Sequence, residues 1–433
     1  MPIDLSEAGE PYPYPAHGPR LLPWLGIWLA CGALGVPLML LAWPASEPAS
    51  GVKFWFAVIG VPNLVFLALL CIGRIGYEAL WYHAHNRNTA RAERLGERLR
   101  IAQKPLQILG VGYCVPSVTT DLATLAMTTT PVFKSQAARS GVGFIVHNRF
   151  EEESWSDDPQ STTEPDSNPD NHSTEPPRRI ATVVLKLVKA LEPLAPAIQA
   201  LSQYGPAYAP LVRVLAHPDE ADQRQQQALD ALRIAGLSAL ECEVVPESHN
   251  LMLADAWLDS RERRAVLILA FTWHDANPPA NSSEAAIAVL LNAGFYQLPE
   301  SVPLRATLHR PVEHQADAAT LRELIRNAAL WGQAEPQAIT HAWITRLTAD
   351  HDRTLLDTLK HASFAGIVTR ESHGRLDRLL GNAGAAITWL SIAAAIESAK
   401  AGPHLILDQQ QAAILYVHQN SLHDHAEQQS ESA

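Results

Sequence analysis

Cysteine is scarce in this chain, and the few present are badly placed for structural work. Of the four, Cys31 and Cys71 fall inside long apolar runs, while Cys114 and Cys242 stand far apart. With no C-x-x-C spacing, a disulfide framework and a cysteine zinc site are excluded, and a reducing compartment is expected. H-E-x-x-H, G-x-S-x-G and phosphate-loop sequences are also missing. Gly110-Val111-Gly112 follows an apolar run but lacks the third glycine of a nucleotide fingerprint. His423 and His425 read as a solvated tail, so no metal and no cofactor is expected. The basic clustering of a nucleic-acid-binding face is absent too. The formal charge of −12 resides in two places: nine acidic residues without Lys or Arg over 151–177, and three more from 419 onward. The rest of the chain is close to neutral, and nucleic acid is not expected as a partner.

Long apolar runs, in contrast, are present. Residues 21–43 hold no charge, and residues 54–73 are interrupted only by Pro62 and Asn63. At 1.5 Å per residue, either run crosses roughly 30 Å of hydrocarbon. Joined by the polar loop 44–53, they read as a transmembrane hairpin over 21–73. Asp4, Glu7 and Glu10 against a single Arg20 argue against a cleaved signal peptide. Arg74, Arg87, Arg91, Arg94, Arg98, Arg100 and Lys104 follow the second run, against Lys53 in the loop, which puts the C-terminal part and the N-terminal segment 1–20 in the cytoplasm. Trp24, Trp28, Trp43 and Trp55 stand where interfacial anchors do. Residues 74–104 continue as a basic helical stalk that Pro105 stops.

After Pro105, short apolar runs alternate with amphipathic stretches. Strands are expected at 106–112, 211–216, 239–245, 265–273 and 284–292, with a further one at 141–147. A second series has strands at 302–310, 338–347, 366–369, 405–408 and 412–418. Helices are expected around Leu122 and over 219–235, 248–258, 316–331, 353–361 and 385–400. Both series then read βαβαβαββ, an α/β layered body over 105–418 with buried strands. Residues 151–177 have no periodicity and form a solvated insertion, with an acidic docking arm as the alternative; 419–433 form a polar tail. The body is organised around residues 374–407. There, the glycine turn Leu380-Gly381-Asn382-Ala383-Gly384 opens a small-residue helix suited to burial between layers. Asn382 is either a turn residue or a catalytic one.

Three motifs carry a family resemblance. LQILGVGYCVP at 106–116 resembles the opening strand and turn of ketoacyl synthases. ADAWLDSRERRAVLILAFTW followed by SSEAAIAVLL, within 254–291, resembles their later helix and strands. LLGNAGAAITWLSIAAAIESA resembles their last catalytic turn and buried helix. The resemblance implies a thiolase-like fold of two βαβαβαββ halves, with the third helices buried together. It also implies a nucleophilic cysteine at the N-terminus of the first half's third helix and a histidine after the second half's second strand. Neither requirement is met in the sequence. Ser248 and His249 stand at the first place, with Ser248 expected as a helix N-cap, and no cysteine follows Cys242. Arg346 or Thr348 stands at the second, with His341 and His351 to either side. Asn382 alone matches the family's asparagine.

A membrane hairpin, basic stalk and degenerate thiolase-like body also resemble the accessory proteins of type VI secretion lipase effectors in Gram-negative bacteria. That resemblance implies a non-catalytic adaptor at the bacterial inner membrane whose partners are a secreted lipase effector and a spike protein; a homodimer is left open. The alternative is an acyl-transfer or condensing enzyme using Ser248, His351 and Asn382. A third reading is a structural protein of an envelope complex.

Overall fold

A computed structural model describes residues 9–16, 18, 20–139, 143–153, 155–156, 179–276, 278–313, 321–347, 349–361 and 363–418. Most of the acidic insertion and all of the 419–433 tail, with His423 and His425, lie outside the described residues. Two compact units form, Ile3–Ile101 and the chain from Ala102 onward.

The first unit is a helical hairpin. Helix α1 is Leu21–Ala42 and α2 is Val52–Ala102; both are long and apolar enough to cross a membrane, with mean hydropathies of 2.1 and 2.4 over their most apolar windows. Helix α2 widens into a π-turn at Phe56–Gly60, just before Pro62. Proline has no N–H to give the preceding turn, and a π-turn accommodates the broken ladder. Asn63 Nδ2 donates to the Ile59 carbonyl at 2.8 Å, and Trp28 Nε1 donates to Asn63 Oδ1 at 2.9 Å. The amide in this apolar run is thereby satisfied across the hairpin. A Cβ on Gly35 would stand 2.7 Å from Pro62 Cγ, so the two helices touch where a side chain would not fit. Beyond Gly73, α2 continues unbroken to Ala102 as the stalk.

The second unit holds strands β1 (Leu106–Cys114), β2 (Lys134–Ala137), β3 (Phe144–Asn148), β4 (Leu211–Ala216), β5 (Cys242–Pro246), β6 (Val266–Thr272), β7 (Ser282–Ser283) and β8 (Ala285–Asn292), then β9 (Ala306–Leu308), β10 (His341–Thr345), β11 (His373–Gly374), β12 (Gly402–Asp408) and β13 (Gln411–Val417). Its helices are α3 (Leu122–Ala126), α4 (Thr182–Leu191), α5 (Ala195–Ser202), α6 (Ala221–Ile234), α7 (Met252–Ser260), α8 (Leu321–Trp331), α9 (Ala349–His361), α10 (Leu376–Leu379) and α11 (Ala386–Glu397). The principal sheet runs β11-β10-β12-β13-β9-β1-β8-β6-β4-β5. Taken in chain order, the strands of each half sit 1-5-4-2-3. In each half the fifth strand is antiparallel to its neighbours, and the second is parallel to the third and fourth. The halves join where β1 pairs antiparallel with β9.

Alternate residues of the first-half strands enter different cores. Val266, Ile268 and Ala270 of β6, and Ile287, Val289 and Leu291 of β8, face an inner cluster with α7 and α11. Leu267, Leu269, Ala286, Ala288 and Leu290 face an outer cluster with α4, α5 and α6. The two-residue side-chain period separates these faces, and both being apolar explains the unbroken hydrophobic strand sequences. Helix α11 is buried along Ala386–Ala395 and packs on β8 and β6 of one half and on β10, β12 and β13 of the other. The architecture is the thiolase-like duplicated βαβαβαββ fold implied by the sequence resemblance.

Some local expectations are corrected. The outer first helix of the first half is α4, not the segment at Leu122, whose α3 is a five-residue helix on the inner side. Thr182-Val183-Val184 gives α4 a β-branched start that disguises its helical face. Residues 366–369 are not a strand: Ala365–Ile367 is a 3₁₀ turn, and the third strand is β11. A Cβ at Gly366 would lie 2.4 Å from the Ile339 carbonyl, so the glycine serves a close backbone crossing. Helix α7 starts at Met252, after a 3₁₀ turn at Glu247–His249, with Leu251 and not Ser248 at its N-cap.

Candidate functional site

The two halves meet chemically at the N-terminal ends of α7 and α11. Asn250 immediately precedes the α7 cap with φ 35° and ψ −113°, a left-handed-side conformation that asparagine tolerates better than most residues. It is 1% exposed. Its Nδ2 donates to Thr388 Oγ1 on α11 at 2.8 Å and to Asp408 Oδ2 at the end of β12 at 2.7 Å. Thr345 Oγ1 donates to Asp408 Oδ1 at 2.9 Å. Arg346, just past β10, forks onto the same carboxylate through Nε at 2.8 Å and Nη2 at 2.5 Å. Its backbone N–H donates to Asp377 at 3.0 Å. Burial works against the Arg346 charge, but Asp408, Glu247 and Asp377 outweigh it and leave its pKa above the ordinary arginine value. Gln411 completes the junction by accepting from the Leu251 N–H and donating to the Ser248 and His249 carbonyls.

Beside this junction lies a cleft of about 340 Å³, at the C-terminal ends of parallel strands β4 and β6. It is lined by Glu247, Thr272, His274, Ser282, Asn382 and Gly384, among others. Asn382 is exposed there, and its Oδ1 accepts from the Gly384 N–H at 3.0 Å. Gly381 and Gly384 have φ of 99° and 56°, and the peptide of Asn382 bridges to Ser282. Asn382 thus ties its own turn while remaining exposed to the cleft. The cleft wall is fixed by Glu284, which is wholly buried and forked onto Arg139. Glu284 also accepts from the Phe150 N–H at 2.8 Å and the His274 N–H at 3.1 Å, while Arg139 lies 3.6 Å over the Trp273 ring. Burial pushes the His274 pKa down; Glu284 pulls the other way.

The sequence candidates separate in space. Arg346 joins the junction, and Asn382 lines the cleft. Ser248 and His249 are exposed on the 3₁₀ turn, with their carbonyls tied to Gln411. His351 falls on α9, but its side chain, like Thr348, lies outside the described residues. His341 begins β10, at the opposite end of the strand from Arg346. Asn250 and Asp408 were not singled out by sequence, although each carried a signal: Asn250 directly follows the 245–249 segment, and Asp408 is the one charge in an apolar strand. Cys114 and Cys242 are half-buried free thiols; burial raises both, Cys242 to about 11, so neither is poised as a thiolate.

A second polar cluster forms at the other end of β10. His404 is fully buried, accepts from Trp343 Nε1 at Nδ1 (3.1 Å) and donates from Nε2 to the Lys400 carbonyl (2.8 Å). Its ring stacks on His341, which Lys400 Nζ touches at 2.8 Å. Burial holds the His404 pKa down at about 4; the bond to the Lys400 carbonyl works against this, while the charges of His341 and Lys400 add to it. Relative to an ordinary histidine near 6.5, the folded state binds fewer protons. Its contribution is therefore full above about pH 6.5 and is lost as pH falls toward 4, by up to about 3 kcal/mol. Unfolding titrations of wild type and His404→Phe should show a shallower stability slope over that window in the variant. Equal slopes would remove His404 as the cause.

No protein-family model and no curated protein matches the chain. Among solved structures, it is similar to 3-oxoacyl-[acyl-carrier-protein] synthase III from Aquifex aeolicus VF5, at 13% identity and a TM-score of 0.40 over 72% of this chain and 99% of that one. The corresponding synthase III from Pseudomonas aeruginosa PAO1 gives 11% identity and a TM-score of 0.41 over 73% and 99%. A ketosynthase from module 6 of the bacillaene synthase of Bacillus subtilis 168 gives 11% and 0.49 over 73% and 71%.

Proposed function

We propose that this chain is a non-catalytic, membrane-anchored adaptor whose thiolase-like body recruits a protein partner. The observation that carries the reading is Asn250. At the N-terminus of the first half's third helix, where condensation chemistry needs a thiolate, stands a buried carboxamide with both its donor bonds spent on Thr388 and Asp408. Arg346 occupies the place after the second half's second strand, and a guanidinium locked onto Asp408 is a poor proton carrier. Fold alone does not assign function, and a rigid layered body serves equally well as a docking platform.

In the finer form of this proposal, the hairpin sits in a bacterial inner membrane with the body cytoplasmic. The partner is then a secreted lipase effector handed to a type VI spike protein. The run of arginines after the second apolar helix supports the orientation. The combination of hairpin, basic stalk and degenerate body supports the partner class. A condensing enzyme remains the alternative because Asn382 is exposed in an open cleft.

One pair of measurements separates them. Purified full-length protein should show no acyl-thioester turnover above buffer, and should retain the effector encoded beside it in a pull-down. Turnover that falls on Asn382→Ala would defeat the adaptor reading.

A further inference from the structure

Residues 9–16 lie along the stalk as an extended strap. Gly18 lies beside the Tyr77 hydroxyl, Tyr14 against Trp81, Tyr12 against Asn88 and Gly9 against Arg91. As the strap is followed backward from Gly18, the helix positions advance by four, seven and three, so the two segments run antiparallel and these contacts keep to one face of α2. Pro11, Pro13 and Pro15 favour a polyproline conformation and have no N–H, so only alternate residues of the strap carry a backbone donor to be read.

The stalk reads both the backbone and the rings of the strap. Tyr12 N–H donates to Asn88 Oδ1 at 2.7 Å, and Asn88 Nδ2 donates to the Tyr12 carbonyl at 2.9 Å. A carboxamide carries a donor and an acceptor side by side, so Asn88 takes both backbone groups of one residue. Arg91 Nε donates to the Gly9 carbonyl at 2.8 Å. The Tyr12 ring stands edge-on to His83 with centroids 5.6 Å apart, and the Arg87 guanidinium lies 5.1 Å from its centre. Two residues on, the Tyr14 ring lies 5.8 Å from Trp81, and its hydroxyl reaches His85 Nδ1 at 3.4 Å. Trp81 and His85 stack on each other at 5.0 Å. Each tyrosine is therefore seated by a pair of helix residues four apart, 83 with 87 and 81 with 85, which a helix brings together by itself. Helix α2 is continuous through all of these positions.

We infer that the stalk face from Tyr77 to Arg91 is a recognition surface for an extended segment in which tyrosine alternates with proline, filled in cis by residues 9–16 and able to take the same alternation from a partner chain. The seats belong to the helix and the strap joins them from 76 positions away, so the fit does not depend on the covalent connection. An extended proline-rich segment loses little entropy on docking, and two ring seats with one backbone clamp set its register. The cis strap then acts as a competitor that a partner must displace. This inference goes beyond the adaptor reading and stands or falls without it, because it rests on the hairpin unit alone.

Peptide binding tests it. Full-length protein in neutral-lipid nanodiscs, with the seats vacated by Tyr12→Gly/Tyr14→Gly, is titrated with a fluorescein-labelled copy of residues 9–16, GEPYPYPA, and anisotropy is read. The peptide should bind this variant about tenfold or more tighter than wild type, where the tethered strap competes at an effective concentration on the order of millimolar. Adding Asn88→Leu should weaken binding on the order of tenfold, since two backbone bonds are lost, and a peptide with both tyrosines replaced by glycine should not bind. A second vacated form, Pro11→Gly/Pro13→Gly/Pro15→Gly, keeps the tyrosines, loosens the strap and should also admit the peptide more tightly than wild type. Far-UV helicity should stay at the wild-type value in both, and a fall would show that the helix does not form the seats by itself. No binding to either vacated form, equal binding to wild type, or binding unmoved by Asn88→Leu would each overturn the inference.

Discussion

Glu284→Ala is expected to destabilise the second unit by about 3 kcal/mol, the cost of leaving the buried Arg139 with the exposed Glu152, 3.5 Å away, as its remaining carboxylate. In the wild type, Glu284 has no solvent exposure and Arg139 is 8% exposed at its side chain, so water cannot replace the lost carboxylate. Two backbone donors, from Phe150 and His274, lose their acceptor at the same time. Because these groups hold β3 and the β6–β7 connection together, unfolding should begin at the cleft wall. Thermal unfolding should show a Tm lower by on the order of 10 °C, and hydrogen exchange should rise first around 272–284. The double variant Glu284→Gln/Arg139→Met, which removes both charges and keeps bulk, should recover much of the loss. If the single and double variants were equally unstable, side-chain volume and not charge pairing would be responsible.

Asp408→Ala is the second large effect, expected at about 3 kcal/mol or more. Asp408 is 1% exposed and accepts from Arg346, Asn250 and Thr345 at once. Its removal leaves a guanidinium and two neutral donors facing a small void. The halves are joined by β1–β9 pairing and by the apolar packing of α11, so the protein should still fold while losing rigidity at the junction. Paired measurements on Asp408→Ala, Arg346→Met and the double variant give the coupling directly. A coupling energy near zero would mean that the fork onto Asp408 contributes nothing to stability. Asn382→Ala makes a useful contrast: an exposed side chain accepting one N–H should cost only about 1 kcal/mol.

The relation between these residues and the sequence is uneven for physical reasons. Strands β4, β6, β8, β12 and β13 were legible because each is a short apolar run bounded by polar residues, and burial on both faces makes such runs stand out. Helix α11 was legible from its small residues and the glycines before it, and the structure buries it between the halves as expected. Helix α4 was not, since its β-branched start follows a long acidic stretch and offers no cap; Ala181 at its N-cap makes no side-chain bond. The strand β11 is two residues long and carries no pattern of its own. It exists because β10 offers it an edge.

By itself, the sequence determined the apolar hairpin, the basic stalk, the twofold series of strands and helices, and the scarcity of cysteine. Each follows from composition and spacing along the chain. Only the tertiary structure decided that Asn250, 158 positions from Asp408, is its hydrogen-bond partner, and that Asn382 spends its side chain on its own turn. It likewise decided that Arg139 reaches Glu284 across 145 positions. Those pairings depend on which strand ends the fold brings together. Local sequence carries no record of them, because a lone Asn, Asp or Glu reads the same on a surface as in a buried junction.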